Sequence, residues 1–345
     1  MISKRVIFRI HRWCGLAAAA FVLLEGITGC ILVYRAPLAE VIDPVGMVRR
    51  TGSGDASFQA IVQAVQQADS GYRVKRIRFP VTPRGVYFAR LGNKAGGERY
   101  ASIDPSDGRI LRQGNIWKFP TEAALQIHER LMAGTPGIVA VICLGALILA
   151  TAVTGLIYWW PRAGRWGKSL ILNWRLPPRL LLRHAHRSVA VVASGFIGVA
   201  VVTGVILTVG TLVDHELTFP KTSQDKRPPL QMGIDQGLAL ARASAPGRGI
   251  RDIRLPATDQ LHVYFWAPER NPPAVHLVGV DLATGRIAGI VPARDNPGLW
   301  VIPFPIHTGE DFGPVGQFLA FFAGAGLVAL SASGFVMWLQ IPRKR

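Results

Sequence analysis

Four histidines in matched surroundings are the residues of this chain best suited to chemistry. From His11 the sequence reads HRWCGLAAAAFVLLEGITGCILVY, and from His186 it reads HRSVAVVASGFIGVAVVTGVILTV. The two agree at His-Arg, at Thr-Gly seventeen and eighteen positions on (Thr28 and Gly29, Thr203 and Gly204), and at Ile-Leu beyond. His128 and His307 form a second match. Each lies nine residues before one Gly (Gly137, Gly316) and seventeen before another (Gly145, Gly324), and at equal offsets before a small-residue/Gly pair (Thr154 and Gly155, Ser333 and Gly334) and a Trp (Trp159, Trp338). Two imidazoles facing each other from neighbouring helices can supply both axial ligands of a haem iron. A single histidine at a membrane surface is an ordinary amphipathic end residue; duplicated helices, by contrast, carry equivalent histidines to similar depth.

Other candidates are weaker. His184 lies two residues from His186, about 200° around a helix, so one cofactor uses only one of them, and the repeat favours His186. His215 has no histidine counterpart in the first half and reads as an interface residue or an alternative ligand; His262 and His276 fall in strands and read as surface or packing residues. Glu25 sits in an apolar run, where a carboxylate is costly and turns into the bundle. It reads either as a protonated or hydrogen-bonded packing residue or as a proton relay or cofactor partner. Cys14, Cys30 and Cys143 all lie in hydrophobic blocks with no CxxC, so neither a disulfide framework nor a thiolate metal site is indicated.

The elements that position these residues are membrane helices. Half of the 345 residues are hydrophobic, gathered into four blocks, each near the roughly 20 residues that cross a bilayer. The spans are expected at about 13–34, 137–160, 188–212 and 315–339. The first has the basic start of a signal peptide but lacks a small-residue cleavage site, and reads as a retained helix. The helices are rich in Gly and Ala, including Gly26, Gly29, Gly195, Gly198, Gly204, Gly324 and Gly326. Such residues either leave room for a porphyrin or let helices approach closely, and composition does not separate the two.

Lys and Arg crowd the N-terminus, the 161–187 loop and the C-terminus. The positive-inside rule makes all three cytoplasmic and puts both long connections outside, in a periplasm for a Gram-negative host. Trp166 and Trp174 among the loop arginines suit a membrane interface. The net charge of +18 is explained by topology and anionic lipid headgroups, and no nucleic-acid partner is expected.

The two connections repeat each other. Each runs through a short helix, about 58–68 and 236–243, into strand-like segments: VKRIRFP, GVYFARLG, RYASID and RILRQ, then IRDIRLP, LHVYFWAP, HLVGVD and RIAGI. Asp104 and Asp281 are each followed at the same distances by Gly, Arg and Ile. Agreement over several elements signals duplication. The Asp and Gly have a structural explanation as hairpin turns.

The helix starts HRW and HRS, the segments IHERLMAGTPG and IHTGEDFGPVG and the DxxxGRI repeats together resemble the PepSY-associated transmembrane-helix family, the iron-regulated inner-membrane proteins, over nearly the whole chain. The resemblance implies an α-helical membrane protein with four transmembrane helices in two pseudo-symmetric halves and two α+β PepSY-like exported domains. The expected divisions are 1–34, N-terminus and first helix; 35–125, first exported domain; 126–160, second helix with its lead-in; 161–187, basic cytoplasmic loop; 188–212, third helix; 213–306, second exported domain; and 307–345, fourth helix and C-terminus. In siderophore-reductase members it implies two b-type haems that carry electrons outward to a ferric siderophore, with His11, His128, His186 and His307 as iron ligands. Ser188, Val189 and Ala190 stand where the family often has Gly after the third helix's His-Arg.

No GxGxxG loop is present, so electrons are expected from a quinol or a separate reductase rather than from a nicotinamide or flavin held by this chain. The outer haem would face a cleft between the exported domains, with Trp117, Phe119, Trp300, Phe304 and Phe312 lining it or forming an aromatic belt. The spacing poses one difficulty, because His11 and the far end of the first helix are about 35 Å apart at 1.5 Å per residue. Breaks after His128 and His307 would have to bring the pairs closer. The competing expectation is a non-enzymatic accessory protein whose PepSY-like domains bind a peptide, protease or transporter, or a haem conduit to another protein.

Overall fold

The computed structural model describes residues 3–50, 56–161, 163–213, 230–267, 274–295 and 302–340. The first half runs α1 (Lys4–Val33), α2 (Arg35–Ile42), α3 (Pro44–Met47), α4 (Phe58–Ala68), β1 (Arg73–Arg78), β2 (Tyr87–Gly92), β3 (Glu98–Ile103), β4 (Ile110–Gly114), α5 (Pro120–Arg130) and α6 (Gly134–Trp159). The second runs α7 (Trp166–Leu170), α8 (Pro178–Val213), α9 (Ile234–Ser244), β5 (Ile250–Ala257), β6 (Gln260–Ala267), β7 (Ala274–Asp281), β8 (Arg286–Val291), α10 (Pro303–Thr308) and α11 (Gly313–Leu339). These fold into two compact units, one made of Met1–Val33, Ala124–Asp214 and Ile302–Arg345, the other of Tyr34–Ala123 and His215–Val301.

In the helical unit α1, α6, α8 and α11 are each long and apolar enough to cross a membrane. A helix closes its own backbone hydrogen bonds, which hydrocarbon demands, so its apolar surface can face lipid. α1 packs on α6 and α11, and α8 packs on the same two. α1 and α8 therefore face each other across the bundle. The matched glycines sit where helices touch. A side chain on Gly145 would strike Val205, and one on Gly324 would come 2.8 Å from Cys30 Sγ. α8 begins ten residues earlier than expected, at Pro178. Proline suits the first turn, where its missing N–H is no loss, and the arginines of this turn disguise a helix that continues past the apolar block. His11 and His186 thus lie inside their helices rather than at the starts.

The other unit is one antiparallel sheet of eight strands, in the order β4-β3-β2-β1-β5-β6-β7-β8. The two inserts, expected as separate domains, share it. β1 pairs β5 with Ile77 opposite Ile253, and both are fully buried. One core takes Ile61 and Val65 of α4, Leu238 and Ala241 of α9, and Ile77, Leu91, Ile103, Ile253, Leu261 and Phe265 of the strands. The physical reason is the edge: separate sheets would leave β1 and β5 with unpaired backbone groups and half a core each. The helices also cap one another. Asp235 of α9 accepts from Ser57 Oγ at 2.5 Å and from the N–H of Phe58 at 2.7 Å, while Gln59 of α4 accepts from the N–H of Ile234 at 3.1 Å.

Across the sheet from that core Asp252, fully buried, accepts from Arg76 at 2.9 Å and from Arg254 at 3.0 Å. Glu122 pairs with Arg35 and Arg78. The repeated aspartates are turn closers: Asp104 accepts from the N–H groups of Arg50 and Ser106, and Asp281 from those of Ala283 and Thr284. Phe119 is buried against Phe88 and Tyr100 and so belongs to a core cluster rather than to a cleft.

Candidate functional site

The four repeated histidines meet in two pairs. The rings of His11, on α1, and His186, on α8, have centroids 6.5 Å apart and planes at 82°. The rings of His128, on α5, and His307, on α10, have centroids 6.1 Å apart and planes at 48°.

Each ring is held by the helix that neighbours it. His11 Nδ1 lies 2.9 Å from the Thr151 carbonyl of α6, and His186 Nδ1 lies 2.7 Å from Ser333 Oγ of α11. His128 Nδ1 is 3.1 Å from Thr28 Oγ1 of α1. His307 Nδ1 is 3.1 Å from Thr203 Oγ1 and 2.9 Å from the Ala200 carbonyl, both of α8. A carbonyl only accepts, and the hydroxyls of Thr28, Thr203 and Ser333 already donate to Leu24, Val199 and Ala329 of their own helices. The network therefore assigns the imidazole proton to Nδ1 in all four and leaves the Nε2 lone pair as the atom that could bind a metal.

The Ser/Thr-Gly repeats are the seats of these rings. A methyl group on Gly155 would come 2.9 Å from His11 Cε1, and one on Gly204 would come 2.9 Å from His307 Cε1. At Gly29 the distance to His128 Cε1 is 3.4 Å, and at Gly334 to His186 Cε1 it is 3.6 Å. The glycines divide accordingly. Gly29 and Gly204 receive rings, Gly26, Gly324 and Gly326 lie at helix contacts, and Gly195 and Gly198 have nothing within 4 Å.

The breaks before α6 and α11 set the height of the outer pair. Leu131 and Met132 have φ of 48° and 58°, left-handed values that side chains rarely take, and Gly309 and Gly313 have φ of 77° and 57°. At each break the glycine nine residues after the histidine lies hard against a carbonyl, Gly137 on Arg130 and Gly316 on Gly309. His128 consequently reaches α1 at Thr28, not at its far end. His11 and Thr28 are seventeen residues apart, about 25 Å of helix, instead of the 35 Å the sequence suggested.

A metal ion bound by protein alone needs three or four ligands, and among the described residues no three His, Cys, Asp or Glu converge. Two opposed imidazoles fit an iron whose other positions a macrocycle fills. With the metal about 2.0 Å from each nitrogen, and the nitrogen about 1.1 Å from its ring centre, two coaxial rings have centres about 6.2 Å apart. The observed 6.5 and 6.1 Å bracket that figure.

Of the alternatives, His184 is not paired with His11, and its Nδ1 is buried with no hydrogen-bond partner. His215 and Trp300 lie outside the described residues. Glu25 is buried beside His128, its Oε2 3.0 Å from Nδ1. His276 accepts from the Ala293 N–H at 3.2 Å, a packing role. The sequence matched Thr28, Thr154, Gly155, Thr203, Ser333 and Gly334 across the halves without giving them a role, and read Gly29 and Gly204 as porphyrin space or helix contact rather than as ring seats; their equal spacing was the available signal.

A family model described as "PepSY-associated TM region" matches residues 8–340, nearly the whole chain. A comparison with curated proteins found no match.

Proposed function

The chain belongs to the PepSY-associated TM family, and from that premise we propose that it is an inner-membrane di-haem b reductase that reduces the ferric iron of a siderophore outside the cytoplasm and releases Fe(II). The observation that carries the proposal is the pair of opposed imidazole couples, spaced for one iron each and protonated on Nδ1. His11 and His186 would hold one haem and His128 and His307 the other. Haem, when bound, supplies a one-electron carrier at each of two depths in the bundle.

The residues of the chain do the rest. Thr151, Ser333, Thr28, Thr203 and Ala200 fix each ring's tautomer and direction, a task whose loss typically costs 10–100-fold in metal affinity. Gly155 and Gly204 let the rings lie flat on a helix. The apolar helices around both pairs would keep bulk water away within a bilayer. The basic ends and the 161–187 loop orient the chain with its termini in the cytoplasm, which puts the His128–His307 pair on the outer side. Each ferric ion takes one electron. A quinol donor delivers two, serves two ferric ions and releases two protons; a separate reductase is the other donor class. Lowering the iron's charge weakens its hold on hard oxygen ligands, so Fe(II) leaves.

The absorption spectrum of the purified protein tests this first. Two b-type haems per chain are expected, and each His→Ala change should remove one. Dithionite-reduced protein mixed anaerobically with a ferric siderophore should reoxidise. A protein without a Soret band, or a reduced protein that stays reduced, overturns the proposal. The second outcome leaves a haem conduit to another protein, and the first an accessory protein.

A further inference from the structure

Each histidine of the inner pair is followed by an arginine that meets no acid. Arg12 comes directly after His11 on α1, and Arg187 directly after His186 on α8. In both, Nε is buried with no hydrogen-bond partner, and neither forms an ion pair with a described residue. Arg12 lies over the rings of Phe8 and Trp13, 5.9 and 5.1 Å from their centroids. Aromatic faces attract the charge and leave the N–H donors without an oxygen. Trp159 Nε1 of α6 is another buried donor with no acceptor at this end, where Tyr158 packs on Phe8.

The helices supply no counter-charge here. The chain has no Asp or Glu from Met1 to Leu24, from Leu131 to Val213 or from Phe312 to Arg345. The next acid along α1 is Glu25, thirteen residues beyond Arg12, about 20 Å of helix. The outer pair is built differently: Glu129 follows His128 and takes Arg130 at 3.1 Å, while Thr308 follows His307. A guanidinium keeps its charge, and burying one without a counter-ion is expensive. Packing alone would be served by an apolar residue. Two such charges, matched across the repeat and each next to one of two opposed imidazoles, call for an anion from outside the chain.

We propose that Arg12 and Arg187 bind the two propionate carboxylates of the haem held by His11 and His186. The inference rests on the proposed haem at that pair. Carboxylate oxygens accept from guanidinium N–H groups in short, charge-assisted bonds, and they bring the negative charge that the helices lack. A lipid phosphate is the other anion available at this end; burial of both Nε atoms favours a group inside the bundle over one at its lipid surface. Cations beside the inner centre favour its ferrous state, which carries one positive charge fewer, so removing either arginine lowers that potential.

The test compares the full wild-type chain with R12Q, R187Q and the charge-keeping R12K and R187K by haem content, redox titration and resonance Raman spectroscopy. R12Q and R187Q should each move one of the two reduction equilibria tenfold or more toward the ferric form, about 59 mV for one electron. The other potential should stay where it is, the propionate bending band of one haem should shift, and the Lys variants should remain near the wild type. A merely structural arginine would change haem content alone, so unmoved potentials and an unmoved band in variants that keep both haems overturn the inference. Where a Gln variant loses a haem, the Lys variant decides: retention supports the inference, and loss in both overturns it. Phospholipid phosphate counted per chain separates the two anions, since its fall in R12Q and R187Q with unchanged potentials assigns the arginines to lipid headgroups and overturns the inference. A wild-type protein without haem overturns the di-haem reading and this inference with it; a wild type that holds both haems confines any failure in the variants to the arginines.

Discussion

A methyl group on Gly204 would sit 2.9 Å from Cε1 of His307, closer than carbon atoms pack, so the ring of one helix and the bare backbone of another fit only as a pair. The same holds for Gly155 and His11, again at 2.9 Å. At Gly334 the space is wider, 3.6 Å to His186 Cε1.

That difference makes a graded prediction. Overpacking costs about 1–3 kcal/mol, and on the proposed di-haem reading it falls on a ligand. G155A and G204A should each lower haem occupancy, at the His11 and His307 sites respectively. G334A should retain both haems. Haem content per chain, measured as the pyridine haemochrome, checks the order; equal loss in all three variants would count against ring seating.

The breaks ahead of α6 and α11 give a second prediction. Gly137 presses on the Arg130 carbonyl and Gly316 on that of Gly309, so an added methyl must lever α5 or α10 away. On the proposed di-haem reading, G137A and G316A should release the haem of His128 and His307 and leave that of His11 and His186 in place. A spectrum that shows both lost together would mean that the bundle itself has failed.

In the sheet unit, burial alone would raise the Asp252 carboxyl, but Arg76, Arg254 and Arg251 outweigh it and hold it below the ordinary aspartate range. The folded value is the depressed one. Its contribution to stability is therefore complete above the unfolded pKa of about 3.9 and is lost as pH falls through the folded pKa. D252N should destabilise the unit by about 3–5 kcal/mol near neutral pH, because it strands buried arginine charge. Thermal unfolding followed by circular dichroism should show this deficit at pH 7 and a smaller one at pH 3. A deficit independent of pH would rule out the charge as its cause.

Asp235 ties α9 to the start of α4 through Ser57 and Phe58. D235A should cost about 1–2 kcal/mol, as loss of a helix cap does, and should raise amide exchange at both helix starts. Exchange raised in α9 alone would mean that the two inserts are not coupled there.

The sequence disclosed the membrane helices, the lead-in helix carrying His128 and the matched histidines, because apolar runs and repeats are local patterns. It disclosed the spacing of Gly137 and Gly316 but not its cause, since contact with a carbonyl seven residues back depends on the turn between. Thr28 and Gly29 were visible as half of a repeat, yet their partner is His128, a hundred residues on, and only the order of helices around the bundle decides that. The start of α8 was hidden because Arg179 and Arg183 resemble loop charges when apolarity is the guide. The pairing of β1 with β5 leaves no mark in either strand, because an edge that will be covered is composed like one that will not.

The shared seam in the sheet also sets a schedule for synthesis. From the end of β1 at Arg78 to the end of β5 at Ala257 is roughly 180 residues, which a ribosome makes in roughly 10–40 s. A chain stopped at Val213 should accordingly be cut by protease within residues 73–114 faster than the complete protein. Through that interval the first insert waits half-built with β1 bare, and the sequence of β1, RVKRIR, makes the bare strand strongly cationic. Nascent copies anchored side by side in the same membrane thus repel one another at the surface most able to join them, until each chain delivers its own β5.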